Sequence, residues 1–133
     1  MNAAVVFTSK LGATRRTAEH IANALGADLM DLKKGIGSLA GYDTIILGSG
    51  IYFGKMPKGI RKFIDSRREE LNEKRLALFV CCMFSGEEAE KQLAAASELI
   101  GPLVSAAYIS GKDKKKDPEI DADAIAAFVK SLE

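Results

Sequence analysis

The chain has 133 residues, of which 47% are hydrophobic and 28% are charged, and its formal net charge is +1. These proportions are typical of a globular domain, and the length favours one domain of ordinary size over two. The near-neutral charge excludes both the basic footprint of a nucleic-acid-binding domain and an acidic tail. No apolar run approaches the roughly 20 residues of a membrane-spanning helix, and no export signal is recognisable. We therefore expect a cytoplasmic protein without a membrane span.

Short apolar runs with strand character occur five times along the chain. Their lengths are typical of buried strands in a sheet that is covered on both faces. The predicted strands are residues 3–8, 28–32, 44–47, 75–82 and 104–109.

Helical patterns follow four of these five strands. Apolar side chains repeat with helical spacing at about residues 15–25, and a second helix opens at Pro57 and extends to about residue 71. Ser85 and Glu88 have the spacing of a capping box for a third helix, and Asp121 is the predicted N-cap of the last one. The glycine-rich connection after the second strand supports no more than a helical turn.

Strands that alternate with helices predict a parallel sheet covered by helices on both faces. Right-handed crossovers between five strands favour the strand order 2-1-3-4-5. The chain, residues 1–133, is therefore predicted to be a single α/β domain with a doubly wound, three-layer arrangement. Ligands of such sheets bind beyond the carboxyl ends of the strands, where the strand order reverses. That point lies between strands 1 and 3, and the loops near it are residues 9–14, 48–56 and 82–86.

The first of these loops, from Ser9 to Thr14, leads directly into a predicted helix. A helix start offers unpaired N–H groups and a positive dipole end, which favour an anion. Gly12 would let the backbone wrap closely around a phosphate, and Ser9, Thr14 and Thr17 carry hydroxyls that can donate hydrogen bonds. Lys10 adds positive charge. From the residues alone, an ordinary turn with Thr14 as the helix cap is an equally good interpretation.

The sequence patterns of two other phosphate-binding loops do not match this chain. A P-loop needs a lysine followed by serine or threonine after its second glycine, and Ala13 and Thr14 stand there instead. The dinucleotide pattern G-x-G-x-x-G should follow the first strand, whereas the nearest similar run follows the third strand with the wrong spacing.

Few titratable or nucleophilic side chains are candidates for chemistry. Cys81 and Cys82 are the two cysteines of the chain, and a disulfide framework or zinc site needs more of them at other spacings. Adjacent strand residues point to opposite faces, so we expect two reduced thiols. His20 falls beside the apolar stripe of its predicted helix and is expected to be exposed. We assign no catalytic residue and no metal ligand.

Two segments resemble the flavodoxin family. The first strand, phosphate loop and first helix of flavodoxins are similar to residues 5–25, VVFTSKLGATRRTAEHIANAL. The typical loop, T/S-x-T-G-x-T, matches at Ser9, Gly12 and Thr14, and Leu11 stands where a threonine is common. The flavodoxin-domain group that includes menaquinone-dependent protoporphyrinogen oxidases is similar to residues 42–65, YDTIILGSGIYFGKMPKGIRKFID. This resemblance implies a flavodoxin-like sandwich that binds FMN without a covalent bond.

The resemblance also implies where the flavin would lie. The phosphate would bind at the first loop and the isoalloxazine ring between the second and third loops. Tyr52 and Phe84 fall where flavodoxins have the side chains that flank the ring, and the Phe53–Gly54 peptide falls where a backbone group meets flavin N5. Without the resemblance, aromatic side chains that cap the core would be the better interpretation. The residues expected at the cofactor are Ser9, Lys10, Leu11, Gly12, Ala13, Thr14, Ser49, Gly50, Ile51, Tyr52, Phe53, Gly54, Met83 and Phe84.

The expected function is electron transfer through FMN, as a redox carrier or a small flavin-dependent reductase or dehydrogenase. Flavodoxins that carry electrons are usually acidic, whereas Lys10, Arg15, Arg16, Lys55 and Lys58 surround this predicted site. Positive charge favours the anionic reduced flavin and raises its potential, so we lean toward an enzyme. The expected partner is a redox protein or a small electron donor or acceptor, and not a nucleic acid.

Two other functions share parts of this pattern. A flavodoxin-like domain that has lost its cofactor and serves protein contacts is the alternative. A signalling receiver domain shares the strand order but needs acidic residues at the ends of strands 1 and 3. Thr8, Ser9, Gly48 and Ser49 stand at those positions, so we reject that function.

Overall fold

The computed structural model describes residues 1–10, 12–52, 55–82, 86–110 and 121–133. The strands are β1 (Ala3–Thr8), β2 (Asp28–Asp31), β3 (Thr44–Gly50), β4 (Arg75–Cys82) and β5 (Ser105–Ser110). The helices are α1 (Ala13–Leu25), α2 (Lys58–Ser66), α3 (Arg68–Asn72), α4 (Gly86–Ile100) and α5 (Ala122–Leu132), with a 3₁₀ turn at Leu32–Lys34 after β2. None of the described helices has the length and apolarity to cross a membrane.

All five strands are parallel and lie in the order β2-β1-β3-β4-β5, which confirms the predicted order. One row of paired residues crosses the sheet from Val6 through Leu47 and Leu78 to Ala106. Because the strands are parallel, their carboxyl ends meet along one side of the sheet, here called the carboxyl edge. Strand order reverses at this edge between β1 and β3, where a crevice for a ligand is expected.

Helices cover both faces of the sheet, and each face has its own apolar core. Val5, Phe7 and Phe79 face α1 and α5, whereas Val6 and Leu78 face α2, α3 and α4. Period-2 alternation along each strand sends successive apolar side chains into opposite cores, which explains why the strands read as continuous apolar runs.

The third strand is longer than predicted. It was expected to end at residue 47, but Gly48, Ser49 and Gly50 continue the ladder opposite Phe79, Val80 and Cys81. Glycine has a low strand propensity, so residues 48–50 were predicted to belong to a loop. Pairing with β4 overrides that propensity and carries the strand closer to the predicted site.

The second predicted helix is two helices. Arg67 has φ −113 and separates α2 from α3, so the single helix expected between Pro57 and residue 71 was wrong. The guanidinium of Arg67 donates hydrogen bonds to the carbonyls of Ile36 and Gly37, at 2.8 and 3.2 Å. These contacts join the break to the distant loop that follows β2, a link that helical periodicity does not reveal.

Several local predictions are confirmed. The Asp121 carboxylate accepts a hydrogen bond from the Ala124 N–H at 3.0 Å and caps α5. The glycine-rich connection forms no more than the short turn at Leu32–Lys34, and His20 is exposed. Ser85, expected to cap the third predicted helix, lies outside the described residues.

Candidate functional site

The first loop joins β1 to α1 through residues 9–12. Gly12 is the N-cap of α1 and has φ 119, a backbone conformation that L side chains rarely adopt. Its N–H donates to the Ser9 hydroxyl oxygen at 3.1 Å, and its carbonyl accepts the first helical hydrogen bond, from Arg16 N at 2.9 Å. No side chain caps the helix, so the alternative in which Thr14 is the cap is wrong. Leu11 lies outside the described residues.

The hydroxyl groups near this loop have different environments. Ser9 is partly exposed, and because its oxygen accepts from Gly12, its proton remains able to donate outward. Thr14, in the first turn of α1, is 2% exposed. Thr17 is also buried, and its hydroxyl contacts the Cys81 thiol at 3.7 Å. Thr17 thus faces the sheet rather than the loop.

The end of β2 braces the first loop, a contact that no residue pattern predicted. Lys33 Nζ donates to the Ser9 carbonyl oxygen at 2.5 Å, and Arg15 Nη2 pairs with Asp31 Oδ2 at 2.5 Å. Asp31 also accepts from the Lys33 N–H at 3.0 Å and so caps the short turn. The predicted strand order could have indicated this contact, because it places β2 beside β1 at the carboxyl edge.

The second loop leaves the end of β3. Ser49 is buried, and its hydroxyl donates to the Gly50 carbonyl at 2.8 Å, while the Ile51 N–H donates to the Cys81 carbonyl at 3.0 Å. The Tyr52 side chain lies over Gly50, where a Cβ atom would be 2.6 Å from the tyrosine hydroxyl oxygen. Glycine at position 50 therefore permits the ring to lie against the strand end.

The tyrosine connects the two predicted loops. Lys10 Nζ lies 4.5 Å from the centroid of the Tyr52 ring, a cation–π distance. Tyr52 and Lys55 pair antiparallel through two backbone hydrogen bonds of 2.8 and 3.0 Å. The structure thus brings together Lys10, Gly50 and Tyr52 from the predicted set.

Of the other predicted residues, Ala13 at the start of α1 is buried, and several lie outside the described part of the chain. Phe53 and Gly54 in the second loop, and Met83 and Phe84 in the third, lie outside the described residues. Cys81, just before the third loop, is buried in the core between the sheet and α1 and α5. Its contact with Thr17 makes it part of the packing beneath the site.

Comparison with known proteins identifies the family. The model of the flavodoxin domain matches residues 4–128. The chain belongs to the flavodoxin domain family. An uncharacterized protein of Methanocaldococcus jannaschii is 31% identical to this flavodoxin domain over 134 residues, covering 90% of this chain and 89% of the relative.

Solved structures have the same fold as this flavodoxin domain. A flavodoxin from Streptococcus pneumoniae superposes with a TM-score of 0.71 at 17% identity, covering 98% of this chain and 94% of that one. A WrbA-like flavodoxin from Agrobacterium tumefaciens gives 0.70 at 21% identity, with coverages of 98% and 92%. A Lactobacillus acidophilus flavoprotein solved in complex with FMN gives 0.66 at 15% identity, covering 80% of this chain and 92% of that one.

Proposed function

We propose that this flavodoxin domain binds FMN at the carboxyl edge, with the phosphate in the loop from Ser9 to Thr14. The observation that carries the proposal is the geometry of Gly12, which turns the backbone with a positive φ into the start of α1 beside the β1–β3 switch point. Family membership and the neighbour solved with FMN support the choice of flavin.

The residues of this loop fit a phosphate group. The N–H groups of Thr14 and Arg15 precede the first helical hydrogen bond and belong to the helix start, where the dipole favours an anion. The Ser9 hydroxyl can donate a further hydrogen bond, and Lys10 is exposed beside it. Lys33 holds the Ser9 carbonyl, so part of the loop is positioned before any ligand binds.

The second loop supplies an aromatic surface for the flavin ring. Tyr52 contacts Gly50 and lies under the Lys10 ammonium. It is the described aromatic residue of this loop, and an isoalloxazine ring could stack on it in place of the ammonium. When bound, FMN supplies the one- or two-electron chemistry, and the protein contributes position and electrostatics. A cation near the ring stabilises negative charge on it, so Lys10 would favour the reduced cofactor.

The redox role follows from the same electrostatics. We propose an oxidoreductase function, as a small reductase or dehydrogenase in preference to a low-potential carrier. His20 is exposed on the solvent side of α1, and no side chain is needed as an acid or base because the cofactor carries the chemistry. The proposed partner is a redox protein or a small electron donor or acceptor, and the proposed location is the cytoplasm.

Replacement of Thr14 tests the phosphate site. Thr14→Val keeps the shape of this buried side chain and removes its hydroxyl, so FMN affinity should fall by about 1–2 kcal/mol through loss of a hydrogen bond to a charged group. The affinity is measured by quenching of FMN fluorescence during titration with protein. The control is Thr44→Val, which makes the same change at a buried threonine. Thr44 begins β3, at the end of the strand away from the carboxyl edge, so FMN affinity should stay unchanged. Equal affinities for wild type and Thr14→Val would contradict the assignment of this loop.

The alternative, a domain that has lost its cofactor and serves protein contacts, makes a different prediction. In that case the purified protein would carry no flavin and would not bind added FMN. The titration with the wild-type protein therefore separates the two functions directly.

A further inference from the structure

Among the described residues, basic side chains are concentrated on one half of the carboxyl edge, where β2, β1 and β3 end. Three segments leave these strands, residues 9–16, 31–34 and 50–58, and their sequences contain seven basic residues and one acidic residue, Asp31. All seven basic residues are exposed. We call this surface the basic rim, and it consists of Lys10, Arg15, Arg16, Lys33, Lys34, Lys55 and Lys58.

Most of this charge is not neutralised locally. Asp31 pairs with Arg15, while Lys33 donates to a backbone carbonyl and Lys10 lies over a ring. Within the described ranges, no carboxylate forms an ion pair with the other four members of the rim. These are Arg16, Lys34, Lys55 and Lys58.

The rim is a local feature and not a consequence of overall composition. The whole chain has a net charge of +1, so the excess positive charge at the rim is balanced elsewhere. Part of the balance lies on the other half of the same edge, where Glu87 and Glu88 begin α4 and Asp121 and Asp123 begin α5. Among the described residues, the carboxyl edge therefore has a basic half and an acidic half, and residues 111–120, outside them, contain four lysines and three acidic residues.

We propose that the basic rim is the docking surface for an acidic redox protein, an inference that rests on the proposed binding of FMN at the same edge. A surface of one sign steers partners of the opposite sign and fixes their orientation. The rim includes the proposed phosphate loop and the segment around Tyr52, so a partner seated on it lies next to the flavin.

A protein is favoured over a nucleic acid as the occupant. Nucleic-acid-binding domains commonly have an isoelectric point above about 9, whereas this chain has a value near 7.7. A partner protein of limited size can present its acidic patch to the rim alone.

Charge reversal at the rim tests this proposal. Lys34→Glu with Lys58→Glu changes two exposed rim residues, and Lys91→Glu with Lys130→Glu changes net charge equally on exposed parts of α4 and α5. Binding of a strongly acidic, oxidised ferredoxin to the FMN-loaded protein is measured by isothermal titration calorimetry at low and high salt. Basic cytochrome c and a single-stranded oligonucleotide serve as comparison probes.

Ferredoxin should bind, and its binding should weaken as the salt concentration rises. The dissociation constant should rise about tenfold or more in the rim variant and change little in the control variant. Cytochrome c should not bind. Absent ferredoxin binding, equal weakening in both variants, or tighter binding of the oligonucleotide than of ferredoxin would each overturn the proposal. FMN fluorescence titration of both variants, run in parallel, shows separately whether the proposed function itself fails.

Discussion

Gly12 holds a backbone conformation on which the proposed phosphate site depends. Its φ of 119 lies where side chains other than glycine are strained, and its N–H is directed to the Ser9 hydroxyl. A Cβ atom would force this loop to a different path, and the N–H groups that follow would change direction.

We predict that Gly12→Ala destabilises the protein and weakens FMN binding. The free energy of unfolding should fall by about 1–3 kcal/mol, because alanine is strained at this φ. Urea unfolding followed by far-UV circular dichroism measures this, and FMN fluorescence measures affinity. Gly37→Ala is the control, since Gly37 has no positive φ and a Cβ atom added there would meet no atom within 4 Å, and should change stability by no more than about 0.5 kcal/mol. Equal effects of the two substitutions would contradict the role of Gly12.

Asp43, at the amino end of β3, has a perturbed carboxyl group. The Thr44 hydroxyl donates to it at 2.7 Å and the Asn2 N–H at 3.1 Å, and these hydrogen bonds lower the pKa of Asp43 below its ordinary value of 3.8. A carboxyl group whose pKa is lower in the folded state stabilises that state above the unfolded pKa. The contribution is lost as pH falls through the folded pKa.

We predict that Asp43→Asn lowers stability at pH 7 and that the difference from wild type narrows under acid conditions. Narrowing should begin near pH 4, where the carboxyl of the unfolded chain gains a proton, and continue until the folded state is protonated at its lower pKa. Urea unfolding of both proteins at several pH values measures the difference. If the difference in free energy of unfolding between the two proteins stays constant from pH 7 to pH 3, the charge of Asp43 does not contribute to stability.

At the scale of elements, β3 depends on close packing against β4. Gly48 faces Phe79 on the neighbouring strand, and a Cβ atom at position 48 would lie 2.1 Å from the ring atom Cζ. The Phe79 ring also packs edge-on against Phe128 of α5, with centroids 6.0 Å apart. The Phe79 ring therefore lies against Gly48 and joins β3 and β4 to α5.

We predict that Gly48→Ala destabilises the protein by about 1–3 kcal/mol through overpacking. The same substitution in a Phe79→Leu background should cost less, because the clashing ring is gone. Urea unfolding of the four proteins gives the coupling energy, which should exceed about 0.5 kcal/mol. Additive effects would contradict a direct clash between these positions.

The elements that the sequence predicted well are those whose signals are local. The cap at Asp121 and the alternation of strands and helices depend on neighbouring residues. The end of β3 and the break at Arg67 were mispredicted, because pairing with β4 and hydrogen bonds to the loop after β2 decide them. Such contacts join distant parts of the chain, and local residue patterns do not predict them.

At the scale of the whole molecule, the strand order was predictable because few topologies connect five parallel strands with right-handed crossovers. The order then predicts which loops meet at the carboxyl edge. It does not predict that Lys33 would hold the Ser9 carbonyl or that Lys10 would lie over Tyr52, since these contacts depend on side-chain reach across the edge. The cofactor assignment remains a prediction.

The measurement that tests the central claim most directly compares FMN with riboflavin, which lacks the phosphate. The two ligands share the flavin ring, so the ratio of their dissociation constants isolates the contribution of the loop from Ser9 to Thr14. Two or more hydrogen bonds to a charged phosphate should make FMN bind about a hundredfold or more tightly, measured by fluorescence titration of the flavin-free protein. Equal affinities for the two flavins, or no binding of either, would contradict the proposal that this loop is a phosphate site.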